Sequence, residues 1–133
     1  MRVFTLCAIL LATGCQSHQS PQAPPRRTEA RITHVVICWL KQPGNAQIRQ
    51  QLITESKKLR DIPGVVDVSA GTAIPSTRPV VDSSYDLALV FTFRNEQDLN
   101  HYLTHPRHQQ LLKDHIRPQV DHYKVYDIQD TGP

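Results

Sequence analysis

The sequence predicts an α+β fold built on one antiparallel four-stranded sheet. Three observations carry this: four short runs rich in β-branched and aromatic residues, two longer stretches with apolar residues at helical spacing, and the order β-α-β-β-α-β in which they alternate. The first strand is expected over residues 31–41, where Ile32, Val35, Val36, Ile37 and Trp39 crowd together before Pro43 and Gly44 stop the run. Asn45 can cap the helix that follows, which sets Ile48, Leu52, Leu59 and Ile62 on one face; Pro63-Gly64 ends it. The charged series Glu55, Lys57, Lys58, Arg60 and Asp61 reads as the solvated face of this helix. Residues 65–73 read as the second strand, 75–84 as a loop containing Pro75 and Pro79, and 85–93 as the third strand. Asn95 opens a second helical region carrying Leu99, Tyr102, Leu103, Leu111, Leu112 and Ile116, which Pro106 should break or bend. Residues 120–128 form the fourth strand.

That order is the ferredoxin-like pattern, with both helices on one face of the sheet. The other face decides the assembly. In the third strand Tyr85, Leu87, Leu89, Phe91 and Phe93 alternate with Ala88, Val90 and Thr92, and in the first Val35, Ile37 and Trp39 alternate with Val36, Cys38 and Leu40, so both sheet faces are largely apolar. Two helices cover one face only. A second copy closing on the other would bury it, which predicts a homodimer with a shared α/β barrel and a sheet-to-helix pocket within each subunit.

The first fifteen residues address the chain. Arg2 precedes an apolar run over residues 3–12, and Ala12-Thr13-Gly14 leads to Cys15, an arrangement that resembles a bacterial lipoprotein signal. The resemblance implies cleavage after Gly14 and acylation of Cys15, with each buried methylene contributing about 0.8 kcal/mol to anchoring. The run falls short of the roughly 20 residues a spanning helix needs. Gln16 after the cysteine implies, by the same resemblance, a periplasm-facing outer-membrane location in the bacterial envelope. Residues 15–30, with Pro21, Pro24 and Pro25, read as the lipidated cysteine and a partly stiff tether, residues 31–129 as the single folded domain, and 130–133 as a tail.

Charge and cysteine content narrow the function classes. A formal charge of +3 with scattered basic residues, only Arg26-Arg27 and Lys57-Lys58 being adjacent, is no nucleic-acid footprint. Cys7 leaves with the signal and Cys15 is taken by lipid, so Cys38 is left alone and reads as a small buried apolar residue. There is no Gly-rich phosphate loop, Gly-x-Ser-x-Gly elbow or zinc protease motif, and no cofactor is expected. His18, His115 and His122 read as surface or packing residues.

The acid/base groups gather in His101-Tyr102-Leu103-Thr104-His105-Pro106-Arg107-His108. Tyr102 shares a helical face with Leu99 and Leu103, and His108 lies three and four residues before Leu111 and Leu112, so both should point toward the sheet. His34 has the parity of Val36, Cys38 and Leu40; which parity meets the helices is open at this level.

Together with His34-Val35-Val36, Ile62-Pro63-Gly64-Val65, Tyr85-Asp86-Leu87-Ala88-Leu89-Val90 and Asp127, the Tyr102-to-His108 element resembles the stress-responsive A/B barrel (Dabb) domain, a dimeric α/β-barrel family, over residues 31–129. One plant member is a polyketide cyclase whose catalytic Tyr and His match Tyr102 and His108, and whose first-strand histidine matches His34. The resemblance therefore implies a site at these three residues.

Four uses of the cluster compete. His108 can act as general base on a carbon acid with Tyr102 stabilising the enolate. His105 and His108 can satisfy backbone groups freed at Pro106 while Tyr102 packs in the core, which would suit a purely structural or stress-related dimer. An apolar pocket with a few polar groups can bind a small hydrophobic or aromatic ligand. Metal binding, through His101 and His105 at four-residue spacing, lacks a supporting set of carboxylates or cysteines and is not expected.

Overall fold

The computed structural model describes residues 30–131; the expected signal segment, Cys15 and the tether up to residue 29 lie outside them. Strands β1 (Ile32–Leu40), β2 (Val65–Gly71), β3 (Leu87–Phe93) and β4 (Val120–Gln129) form one sheet in the order β2-β3-β1-β4, every neighbouring pair antiparallel. Helices α1 (Ala46–Lys57), α2 (Glu96–Thr104) and α3 (Pro106–Leu111) complete the β-α-β-β-α-β plan, the second helical region being split in two. The expected ferredoxin-like α+β fold is thus the observed one.

Local chemistry sets the element ends. The Asn45 side chain accepts from the N–H groups of Gln47 and Ile48, both at 3.1 Å, and starts α1. The helix tightens into a 3₁₀ turn over Lys58–Asp61, so Leu59 is buried from this turn rather than from the α-helix proper. Gly64 then reverses the chain at φ 96°, where a Cβ would lie 2.7 Å from the Asp98 Cγ, so the approach to α2 requires glycine.

Two strand boundaries differ from expectation by more than a single residue. β2 stops at Gly71 and β3 starts at Leu87, because Asp86 is held outside the ladder. Its carboxylate accepts from the N–H groups of Leu40 at 2.8 Å and Gly44 at 2.6 Å, and its own N–H donates to the Cys38 carbonyl. Tyr85 consequently leaves the strand and meets Trp39 edge-on, their centroids 6.4 Å apart.

The sheet parity left open by the sequence is resolved. Ile32, His34, Cys38 and Leu40 of β1 are buried toward the helices with Leu87, Leu89, Phe91 and Phe93 of β3, and Leu52, Leu59, Ile62, Leu99, Tyr102 and Ile116 pack onto them. Thr33, Val35, Ile37 and Trp39 project to the opposite face with Ala88, Val90 and Thr92. Along β4 that face carries Tyr126 and Ile128, each 53% exposed. The face lies away from the helices and is apolar at its centre, on Val35, Ile37, Trp39, Ala88 and Val90, while β2 and part of β4 add Asp67, Ser69, Lys124 and His122 to it.

Candidate functional site

The break between α2 and α3 creates the site. In an unbroken helix the N–H of residue 106 would donate to the Tyr102 carbonyl and that of residue 107 to Leu103. Proline has no N–H to give. His105 turns extended at ψ 136° and its own N–H takes the Tyr102 carbonyl at 3.1 Å, while the Arg107 N–H donates to the His105 ring at 3.2 Å, capping α3. The Leu103 carbonyl is thereby released. It accepts from His108 Nδ1 at 3.1 Å and from the Gln109 amide at 2.6 Å.

This pairing fixes the imidazole. Because the carbonyl can only accept, the His108 proton resides on Nδ1 and the lone pair on Nε2. Burial holds the ring's pKa below the usual histidine value; the Leu103 bond opposes that shift, and the neighbouring His34 and His105 rings reinforce it. His108 is therefore a neutral base near pH 7.

Tyr102 lies beside it, ring centroids 4.4 Å apart, and is wedged against Phe91 at 5.1 Å and Phe93 at 5.0 Å. Burial pushes its phenol pKa well above the ordinary value, so the hydroxyl keeps its proton and can only donate or accept a hydrogen bond. His34 reaches the same place from the sheet, its ring 6.1 Å from that of Tyr102. Its Nδ1 faces the Asp127 carboxylate at 2.6 Å across the β1–β4 pair, in which the two residues are direct partners. The carboxylate orients the ring and leaves Nε2 as its other functional nitrogen.

His34, Tyr102 and His108 line a single cavity of about 200 Å³ between the sheet and the helices. The rest of the wall is almost wholly apolar: Val36, Cys38, Leu89 and Phe91 from the sheet, and Leu103, Leu111, Leu112 and Ile116 from the helical side. A one-turn π-helical stretch, Leu112–Ile116, follows α3 and supplies two of these residues. Cys38 is fully buried here and its thiol is pushed up to about 12, which excludes a thiolate nucleophile.

The three residues singled out from the sequence are thus brought together. Asp127 stood among the residues of the family resemblance with no role attached, since its contact with His34 depends on strand register. Tyr123 and Val125 of β4 also line the cavity and were likewise not singled out. The backbone-satisfying role weighed for His105 and His108 is realised at the same bend, and it is what orients His108. His101 and His105 stand 5.5 Å apart by ring centroid, and among the described residues no three metal-ligating side chains cluster. A second, polar recess between α1 and α3 holds ions paired among themselves, Lys58 with Glu55 at 2.7 Å and Arg107 with Asp61 at 3.5 Å.

Comparison with known proteins agrees with this fold. The family model described as Stress responsive A/B Barrel Domain (Dabb) matches residues 32–130. A Dabb family protein of ferredoxin-like fold from Mesorhizobium loti superposes with a TM-score of 0.64 at 23% identity, over 77% of this chain and 99% of that one. A dimeric ferredoxin-like protein of unknown function from Thermobifida fusca gives 0.61 at 23% identity, over 75% and 91%. The hydroxynitrile lyase of Passiflora edulis gives 0.62 at 20% identity, over 79% and 99%. No curated protein sequence matches the chain.

The lowered pKa of His108 has a consequence for stability. The unfolded chain takes up a proton at this ring near pH 6.5, before the folded protein does, so folding stability falls as pH drops from about 6.5 toward the folded-state value and is untouched by this group above it. Urea unfolding midpoints between about pH 5 and 8 should therefore decline toward acid less steeply for His108→Gln than for the parent; equal slopes would contradict the assignment.

Proposed function

The chain belongs to the stress-responsive A/B barrel domain (Dabb) family, and from that premise we propose that its domain binds a small hydrophobic or aromatic molecule in the sheet-to-helix cavity. The observation that carries this reading is the convergence of two imidazoles and one phenol on a single, otherwise apolar cavity of about 200 Å³. Apolar walls supply binding energy by leaving water, and the few polar groups fix orientation.

A second reading, acid/base catalysis without a cofactor, is favoured by one specific feature: His108 is held neutral with its proton turned to the Leu103 carbonyl. In this reading Nε2 removes a proton from a carbon next to a carbonyl, and the electron pair moves into that carbonyl as an enolate. The Tyr102 hydroxyl donates to the developing oxyanion, and the proton on Nε2 is later returned to carbon. The Passiflora edulis hydroxynitrile lyase indicates that this fold accommodates enzymes.

Two further elements complete the proposal. The apolar sheet face bearing Val35, Ile37, Val90, Tyr126 and Ile128 pairs with the same face of a second copy to give a homodimer, a reading supported by the dimeric state of the Thermobifida fusca protein. In this reading Cys15 is acylated and anchors the protein in the outer membrane facing the periplasm, supported by the lipoprotein-like residues around it. Among the described residues no helix is long and apolar enough to cross a membrane.

Each element has its own test. Calorimetric titration with small aromatic aldehydes and ketones should give saturable binding, and deuterium uptake next to the carbonyl, followed by NMR, reports catalysis. Under the catalytic reading His108→Ala retains binding and loses exchange by about 10²-fold or more, with Tyr102→Phe losing a comparable factor. Binding without exchange in the parent leaves a binding module, and variants that only lose stability leave the cluster a structural role. In analytical ultracentrifugation the parent should sediment as a dimer and Val90→Asp as a folded monomer; a monomeric parent would refute the paired sheets. Cys15→Ser should move the protein from the membrane fraction to the soluble periplasmic fraction, and an unchanged distribution would refute the anchor.

A further inference from the structure

Resting on the ligand-binding reading above, we infer that the cavity opens over the β4 edge of the sheet and that Tyr123 and Val125 form the mouth that selects what enters, admitting neutral molecules in preference to anions. The wall residues differ sharply in exposure. Cys38, Leu89, Phe91, Tyr102, Leu111 and Ile116 are each no more than 6% exposed, whereas Tyr123 is 54% and Val125 is 42% exposed although both line the same cavity. Val36, Leu103 and Leu112 are partly exposed and complete the rim.

Strand pairing explains why the opening falls here. Val36 is opposite Val125 and Cys38 opposite Tyr123, so both β4 side chains stand on the helix-facing side of the sheet. Among the described residues β4 is nevertheless the outermost strand on that side, paired only with β1, and of its residues only Val120 is buried. The helices close over β1 and β3 and leave β4 uncovered. At the other edge Val68 of β2 lies at 3% exposure beneath Leu59 and Ile62, at 3% and 2%, and that side is shut.

The chemistry of the rim specifies the class of ligand. Neither mouth residue carries a charge. Lys124, between them in sequence, turns to the opposite face and sits 5.9 Å over the Trp39 ring, and His122 stacks on the same ring at 4.6 Å. Asp127 is the next residue of β4 on the cavity side, is half-exposed, and is held by His34. An anion would meet this carboxylate with no cation in the cavity wall free to receive it, and would shed its water without a partner. A neutral aromatic molecule instead slides past an apolar valine and a tyrosine whose ring offers a face to stack on.

The test uses the Cys15→Ser protein, otherwise full length, with the fluorescent probe 2-naphthol and its anionic counterpart 2-naphthoate. Stopped-flow association of 2-naphthol should slow by about tenfold or more in Val125→Trp, accelerate in Tyr123→Ala, and stay unchanged in Gln50→Trp on the exposed face of α1. 2-Naphthoate should bind the parent at least about tenfold more weakly than 2-naphthol. Melting temperatures establish that each variant is folded, and Tyr123→Ala carries the test alone should the tryptophan variant fail. Unchanged rates in a parent that binds the probe overturn the mouth while leaving the cavity as a site. Equal affinity for the two probes overturns the selection of neutral ligands. A parent that binds neither overturns the ligand reading itself, and the mouth with it.

Discussion

A missing N–H at Pro106 is the constraint from which the geometry of the site follows. It prevents α2 from continuing, and the displaced hydrogen bonds rearrange as a set: His105 caps the new helix through its ring, and the Leu103 carbonyl is released to His108. Without the break, the backbone would satisfy that carbonyl internally. With it, a buried imidazole finds the single partner that fixes its tautomer, and the lone pair is left on the opposite nitrogen.

The site therefore does not separate into structural and functional parts. The same His108 bond that satisfies a backbone group also defines what the ring can do chemically. Burial works in the same direction, since it favours the neutral forms of both His108 and Tyr102 and so keeps one an acceptor and the other a donor. From the sheet, the His34–Asp127 pair reproduces the logic with a carboxylate in place of a carbonyl, on a strand that the helices do not cover. A rigid apolar wall behind these groups, made by Phe91 and Phe93 against the Tyr102 ring, limits how far any of them can move.

Much of this was legible in the chain. Turn residues and apolar period gave four strands and two helical regions in the correct order, and alternation along β1 and β3 gave two apolar faces. The boundaries that moved did so for a long-range reason: Asp86 spends its carboxylate on Leu40 and Gly44, forty-odd residues away in sequence, so β3 begins later than β-propensity suggests. The resemblance to the Dabb family pointed to Tyr102, His108 and His34, and their parity and helical spacing were consistent with a common cavity.

What the sequence determined by itself is whatever depends on neighbours along the chain: the break at Pro106, the caps at Asn45 and Asn95, the parity that groups His34 with Cys38. Only the tertiary structure decided which parity faces the helices, that Asp127 is the partner of His34, and that β4 carries the exposed part of the cavity wall. Those facts depend on register between strands nearly a hundred residues apart, and a shift of one residue would turn every side chain of β4 to the other face. Local pattern holds no record of that register; it is set by the packing of the whole sheet against its helices.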